Sequence, residues 1–133
     1  MSKHPSLADR KYTKEHEWAK LEGDVLVVGI TSFAVDQLGD VTLVNFDVAA
    51  GDQLQAGKPF GTIESVKTLS DLFAPISGEV LEVNPALENQ PELVNEDCWG
   101  KGWMLKVRCK DSSALASLLD NKAYDDHTEA SAH

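Results

Sequence analysis

The chain has 133 residues, enough for one domain with a hydrophobic core but too few for two domains of ordinary size. Hydrophobic residues make up 42% and charged residues 26%, which is typical of a globular protein and excludes a disordered or fibrous chain. The formal net charge of -10 disfavours nucleic acid or an anionic membrane as a partner. An acidic surface also suits either solubility or encounters with basic enzyme surfaces.

Both ends of the chain are polar and lack periodicity, so residues 1–10 and 125–133 are predicted to be flexible around one domain at residues 11–124. No apolar run suits a signal peptide or approaches the roughly 20 residues of a membrane span. Cys98 and Cys109 lack the spacing of zinc ligands and are predicted to be free thiols, with no metal site. These features predict a bacterial cytoplasmic protein, or a mitochondrial matrix protein if a transit peptide has been removed.

Short apolar runs separated by Gly, Asp, Asn and Pro predict a domain built mainly from strands. Residues 22–24, Glu-Gly-Asp, suit a turn that joins a strand at about 18–21 to a strand at 25–30. Alternation of apolar and polar residues predicts a half-buried strand over 44–48. The clearest alternation covers 103–109 and predicts a strand that closes the sheet, with one face formed by Trp103, Leu105, Val107 and Cys109.

Two short helices are also predicted. The first begins at Thr31 and ends at Gly39, with Ala34 and Leu38 on one face. The second begins near Ser112 or Ser113, either of which suits an N-cap. Its apolar stripe is formed by Leu115, Leu118 and Leu119.

The segment from Phe60 to Val80 predicts a hairpin, because apolar residues approach its centre from both sides. The tip of this hairpin is Val66-Lys67-Thr68, so Lys67 is expected to project from the core. No Asn-Gly or Asp-Gly pair marks a tight turn there. Without further evidence, the commoner interpretation of such a lysine is a solvated surface residue.

The sequence around this lysine, ESVKTLSDLFAPISGEVLEVN, resembles the lipoyl-attachment hairpin of glycine cleavage H proteins. Further blocks similar to that family occur in the same order between about residues 11 and 124. They read YTKEHEW, VGIT, QLGD, ELVNED and WGKGWMLKV. The resemblance implies a barrel-sandwich hybrid of two antiparallel sheets, with short helices outside it, one of them near the C-terminus, and lipoate bound covalently to Lys67.

The family resemblance also implies a non-catalytic carrier that shuttles the aminomethyl group of glycine. Its implied partners are a pyridoxal-phosphate glycine decarboxylase, a tetrahydrofolate-dependent aminomethyltransferase, dihydrolipoyl dehydrogenase and a lipoate-attaching enzyme. The tethered cofactor would visit these enzymes in turn as a swinging arm, at a high effective concentration. Glu64, three residues before the lysine, is implied as a residue that the attaching enzyme reads, although plain solvation explains it equally well.

In the family, the loaded arm is expected to fold into a cleft on the protein body. Carried over onto this chain, the resemblance implies that Glu17 and Asp71 bind the cationic amine. Its apolar lining would be formed by Ile30, Thr31, Ala34 and Leu38. The competing interpretation is that the two carboxylates are merely solvated and the other residues belong to the core or to a helix face. His16 is interpreted as a surface histidine rather than a general base.

Two departures from the family pattern and several rival functions remain. Thr68-Leu69 replaces small residues after the lysine, and residues 48–52 lack the usual proline-containing turn. Biotin carriers usually flank the lysine with methionines and acyltransferase lipoyl domains precede it with aspartate, whereas Val66 and Thr68 flank it here. A lipoate-relay protein that donates lipoyl groups to other carriers, and an interaction protein that is never modified, stay open.

Overall fold

The computed structural model describes residues 9–108, 115–116 and 118–131 of the chain. It confirms a mainly β fold in which two antiparallel sheets carry short helices. The elements in the described residues are β1 (Lys11–Tyr12), β2 (Glu17–Glu22), β3 (Val25–Ile30), α1 (Ser32–Leu38), β4 (Val41–Phe46), β5 (Gln53–Leu54), β6 (Pro59–Ser65), β7 (Leu69–Phe73), β8 (Gly78–Val83), α2 (Ala86–Asn89), α3 (Leu93–Glu96), β9 (Leu105–Arg108) and α4 (Asn121–Ser131).

The larger sheet has the strand order β1-β2-β3-β9-β8-β5, and the smaller has the order β4-β6-β7. The predicted hairpin of β2 and β3 is confirmed, with Gly23 at a φ of 68° in its turn. Strand β9 lies inside the larger sheet, between β3 and β8, and not at the position that closes it. The predicted alternation also begins late: Met104 is fully buried and donates its N–H to the carbonyl of Val28, so the regular pattern starts at Leu105.

The main core lies between the two sheets. Strands β3 and β9 supply alternate apolar side chains to it, as a period of two requires, and burial of each large side chain stabilises the fold by about 1.5–3 kcal/mol. The six-stranded sheet contributes Leu26, Val28, Leu105 and Val107, and the three-stranded sheet contributes Val44, Ile63 and Leu72.

A second, aromatic cluster contains Tyr12, Trp18, Val27 and Tyr124. The rings of Tyr12 and Tyr124 stack with centroids 4.6 Å apart, which joins β1 to α4. The guanidinium of Arg10 lies 4.6 Å from the ring centroid of Trp18, a cation–π contact that the indole quadrupole favours. The stacking contact fixes the first and last elements of the described chain to each other, and the cation–π contact holds Arg10 against β2.

Helix α1 is confirmed where the sequence predicts it. Its N-cap is Thr31, whose hydroxyl accepts the N–H of Ala34 at 3.3 Å, and its C-cap is Gly39 at a φ of 76°. No helix in the described part of the chain is long and apolar enough to span a membrane.

A helix near the C-terminus is confirmed, although Leu118 and Leu119 of the predicted apolar stripe precede it. Ser112 and Ser113 lie outside the described residues, and α4 starts at Asn121. Leu119 exchanges two backbone hydrogen bonds with Tyr12, which holds the chain extended there, and the carboxylate of Asp120 then accepts the N–H of Ala123. Residues 125–131, predicted to be flexible, are part of this helix, and the domain limit at residue 124 stays a prediction.

Candidate functional site

The hairpin that carries Lys67 is formed by β6 and β7, whose last paired residues are Glu64 and Leu69. Ser65 shapes its tip: the Ser65 hydroxyl accepts the N–H groups of Lys67 and Thr68 at 3.1 and 3.2 Å. The Ser65 N–H donates to the carbonyl of Thr68 at 2.8 Å. This side-chain turn takes the place of the missing Asn-Gly pair. Sequence reasoning missed this role, although a serine at the start of a turn is a recognisable signal.

Lys67 is exposed at the tip. Among the described residues, no carboxylate lies within 4.0 Å of its amine in an ion pair. The stem of the side chain passes over Gly39, where an added Cβ would be 3.3 Å from the Cε atom of Lys67. The lysine therefore has a supported stem and, within the described part of the chain, an amine without an ion-pair partner.

The tip is held in place by the loop between α1 and β4. The N–H of Val66 donates to the carbonyl of Asp40 at 3.0 Å. Asn95, on α3, donates to the carbonyl of Gly39 and accepts the N–H of Val41, both at 2.8 Å. Asn95 thus fixes the loop that fixes the tip, a role that sequence reasoning did not assign because both partners are more than fifty positions away.

A cleft of about 400 Å³ lies beside the tip, between α1, residues 15–17 and the free edge of β7. Thr68, next to the lysine, forms part of its wall. Five of the six residues predicted to form an arm-docking cleft line it: Glu17, Ile30, Ala34, Leu38 and Asp71. The structure therefore brings together residues that are far apart in the sequence.

Thr31 is the sixth predicted residue, and it is absent from the described lining of the cleft. Its side chain is buried behind that surface, where it caps α1 and shares a 2.7 Å hydrogen bond with the hydroxyl of Tyr124. Thr31 supports the cleft wall instead of facing its interior.

Glu17 is only 2% exposed, so the interpretation that it is merely solvated is wrong. Its carboxylate accepts the hydroxyl of Thr13 at 2.7 Å and the N–H of Phe73 at 3.4 Å. Burial raises the pKa of Glu17 to about 7, against the opposing effect of these hydrogen bonds and with a small contribution from Glu15. Asp71, by contrast, is exposed at the rim of the cleft.

His16 is not the surface histidine that the sequence predicts. Its ring lies 4.6 Å from that of Phe33 and 5.6 Å from that of His127, and its Nδ1 shares a 2.8 Å hydrogen bond with Tyr124. Burial, and secondarily the nearby His127, lowers the pKa of His16 to about 4. The backbone φ of 71° at His16 is the left-handed conformation that turns the chain into β2. His16 is therefore a neutral, packed part of the cleft wall.

Comparison with known proteins places this geometry in a family. A family model described as glycine cleavage H-protein matches residues 10–131. The chain belongs to that family. It is 55% identical to the glycine cleavage system H protein of Bacteroides thetaiotaomicron over 114 residues, which cover 86% of this chain and 90% of that protein.

Two further relatives support the assignment. The chain is 52% identical to the glycine cleavage system H protein of Symbiobacterium thermophilum over 122 residues, which cover 92% of this chain and 94% of that one. A crystal structure of a glycine cleavage system H protein from Mycobacterium marinum superposes with a TM-score of 0.84 at 38% identity, covering 93% of this chain and 99% of that chain. The fold implied by the family resemblance is thus confirmed.

Proposed function

We propose that this chain is the lipoyl carrier of a glycine cleavage system, with lipoate in amide linkage to Lys67. The observation that carries the proposal is an exposed primary amine, with no ion pair to the residues that the structure describes, at a braced hairpin tip beside a cleft with apolar and acidic walls. Membership of the glycine cleavage H-protein family supports the same role. The protein accelerates no reaction itself in this proposal.

The residues of the site suit the chemistry of lipoate. A carboxylic acid forms a stable amide with a lysine amine, and the exposed tip leaves that bond in solvent. Lipoate supplies a dithiolane that takes up the aminomethyl group of glycine and is later reoxidised. The tether would hold it at high effective concentration near the glycine decarboxylase, the aminomethyltransferase and dihydrolipoyl dehydrogenase in turn.

The cleft residues have separate roles in this proposal. Ile30, Ala34 and Leu38 provide an apolar wall for an aliphatic arm. Glu17 and Asp71 receive the cationic amine of the loaded arm. A cation beside Glu17 would favour the ionised carboxylate and so lower a pKa that burial raises to about 7. The buried position of Glu17 makes such a charge pair stronger than one at an exposed carboxylate.

The attachment site is tested with Lys67→Arg, and the matched control is Lys58→Arg at another exposed lysine. Intact-mass analysis after incubation with a lipoate-attaching enzyme should show the lipoyl increment on the wild-type protein and on the control but not on Lys67→Arg. Glycine-dependent exchange of carbon dioxide with the decarboxylase should be lost in the same variant. A lipoyl increment or retained exchange in Lys67→Arg would reject Lys67 as the attachment site.

The amine-binding role is tested with Glu17→Gln and Asp71→Asn. Both variants should be lipoylated normally and should release the aminomethyl group to water faster than the wild-type protein, because the amine loses its charged partner. The measurement is the decay of radiolabelled carbon on the isolated loaded protein. An unchanged decay would show that these carboxylates do not hold the arm.

A lipoate-relay role would use the same exposed lysine, but the family match and the named relatives favour the glycine cleavage role. Loss of glycine oxidation, with unchanged lipoylation of other carriers, is the expected result of deleting the gene. The named relatives are bacterial, which supports a cytoplasmic location for this chain.

A further inference from the structure

The outer face of the three-stranded sheet presents a row of exposed side chains next to Lys67. Leu43, Glu64 and Leu69 are register partners on β4, β6 and β7, so their side chains share one face. Leu43 is 46% exposed, Leu69 is 62% exposed, and Glu64 between them is also exposed. We call these three residues, together with Val66 at the tip, the tip row.

Large exposed apolar side chains are concentrated in the tip row. In the described part of the chain, the large hydrophobic residues that remain exposed are Leu43, Val66, Leu69 and Leu21. Leu21 lies on β2 in the other sheet, whereas Leu43 and Leu69 lie on the three-stranded sheet and Val66 lies at the hairpin tip beside Lys67. Apolar side chains that cluster on a surface and surround polar groups mark interaction sites, while isolated ones need no explanation.

We propose that the tip row is the docking surface for the enzyme that acylates Lys67. This inference rests on the proposed function and extends it from one carboxylate to the apolar residues on either side. Its partner surface is apolar with a basic side chain opposite Glu64.

The position of the reacting atom distinguishes the acylating enzyme from the enzymes that act on the dithiolane. Acylation forms a bond between the Lys67 amine and the acyl carbon of an activated lipoyl donor, an acyl adenylate or a thioester, while the bond from that carbon to its leaving group breaks and the amine loses a proton to a base. The acyl carbon must come into bonding contact with an amine at the end of one lysine side chain, so this enzyme has to cover the tip itself. Enzymes that act on the dithiolane work at the far end of the arm and can stand farther from the sheet.

The cleft is lined by residues other than those of the tip row, although Asp71 at its rim follows Leu69 by two positions on β7 and so shares its face. It runs along the free edge of β7, and its lining does not include Leu43, Glu64 or Leu69 within the described residues. In this inference the cleft serves the arm after loading, and the tip row serves the enzyme that loads it. Substitutions in the tip row are expected to slow acylation of Lys67 and to leave binding of the loaded arm in the cleft unchanged.

The test compares a double variant, Leu43→Ser with Leu69→Ser, with the matched control Leu21→Ser. The initial rate of lipoylation is measured by intact mass with a purified lipoate-attaching enzyme, lipoate and ATP. The ratio kcat/KM is expected to fall about tenfold in the double variant, mainly through KM, and to stay within about twofold in the control. The single variant Leu69→Ala, which removes only part of the surface, is expected to lie between them. Matching thermal unfolding curves establish that all variants are folded.

Several outcomes overturn the inference. An unchanged lipoylation rate in the double variant, with the wild-type protein lipoylated on Lys67, shows that the lipoate-attaching enzyme does not bind the tip row. If exchange with the decarboxylase falls in fully lipoylated double variant while the lipoylation rate does not, the surface belongs to the decarboxylase. A wild-type dimer that the double variant fails to form in sedimentation assigns the surface to a second copy. Absence of lipoyl from wild-type Lys67 is a different failure, that of the proposed function.

Discussion

Replacing Glu17 by Gln should make the fold more stable at neutral and alkaline pH, while it weakens the proposed binding of the loaded arm in the cleft. The carboxylate is 2% exposed, and burial is the main cause that raises its pKa. Gln has nearly the same shape and keeps an oxygen that accepts the N–H of Phe73, but it has no charge to desolvate. Glu17 is thus a buried acid whose ionisation the fold resists and which a bound cation would favour.

The size of the effect follows from the pKa shift. The pKa rises from 4.5 to about 7, so the difference, 7 − 4.5, is about 2.5 units. At about 1.4 kcal/mol per unit this corresponds to roughly 3 kcal/mol. Because the folded-state pKa is the higher one, the contribution of Glu17 to stability is fully present below pH 4.5 and is lost as the pH rises through about 7.

The assay is urea unfolding of the wild-type protein and Glu17→Gln between pH 4.5 and 8.5. The free energy of unfolding of the variant, relative to wild type, should increase by up to about 3 kcal/mol across this range. Asp71→Asn, which removes the same formal charge from an exposed position of the same cleft, is the matched control. A difference for Glu17→Gln that stays constant with pH would refute the reasoning.

Three further predictions concern the structure around the site. In His16→Asn, the asparagine tolerates the positive φ of this position. The pKa of His16 is lowered to about 4, so its contribution to stability is present above pH 6.5 and is lost as the pH falls through 4. The variant should therefore lose less stability than the wild-type protein below pH 6.5, measured by thermal unfolding. Gly29→Ala should lower the free energy of unfolding in urea by about 1–3 kcal/mol, since its Cβ would lie 2.6 Å from the indole of Trp18. Ser65→Ala should speed amide hydrogen exchange at Lys67 and change global stability by less than about 1 kcal/mol, because the lost bonds are exposed. Equal exchange in Ser65→Ala and wild type would contradict the assigned turn.

Local sequence patterns correctly predicted the structural features that depend on residues close together in the chain. The helix between Thr31 and Gly39 follows from an N-cap, a helical apolar spacing and a glycine that ends it, all within nine positions. The hairpin tip at Lys67 follows from apolar arms that converge on a polar centre. These features involve pairings between residues close in the sequence, and the structure confirms them.

Features that depend on distant partners were not predictable in the same way. Periodicity identifies β9 as a strand but contains no information on its neighbours, and its place between β3 and β8 is set by long-range pairing. Burial of Glu17 depends on Phe73, which is 56 positions away, and burial of His16 depends on Tyr124, which is 108 positions away. The family resemblance suggested the role that we propose for Glu17, whereas its burial and raised pKa are evident only from the fold.

The interior position of β9 has a consequence for the newborn chain. Until residues 105–108 have left the ribosome, β3 and β8 have no partner between them, and each presents an open edge of unpaired N–H and C=O groups. The larger sheet therefore closes only when about four fifths of the polypeptide has emerged from the ribosome. Nascent chains stalled before this point are expected to be protease-sensitive and to depend on chaperones.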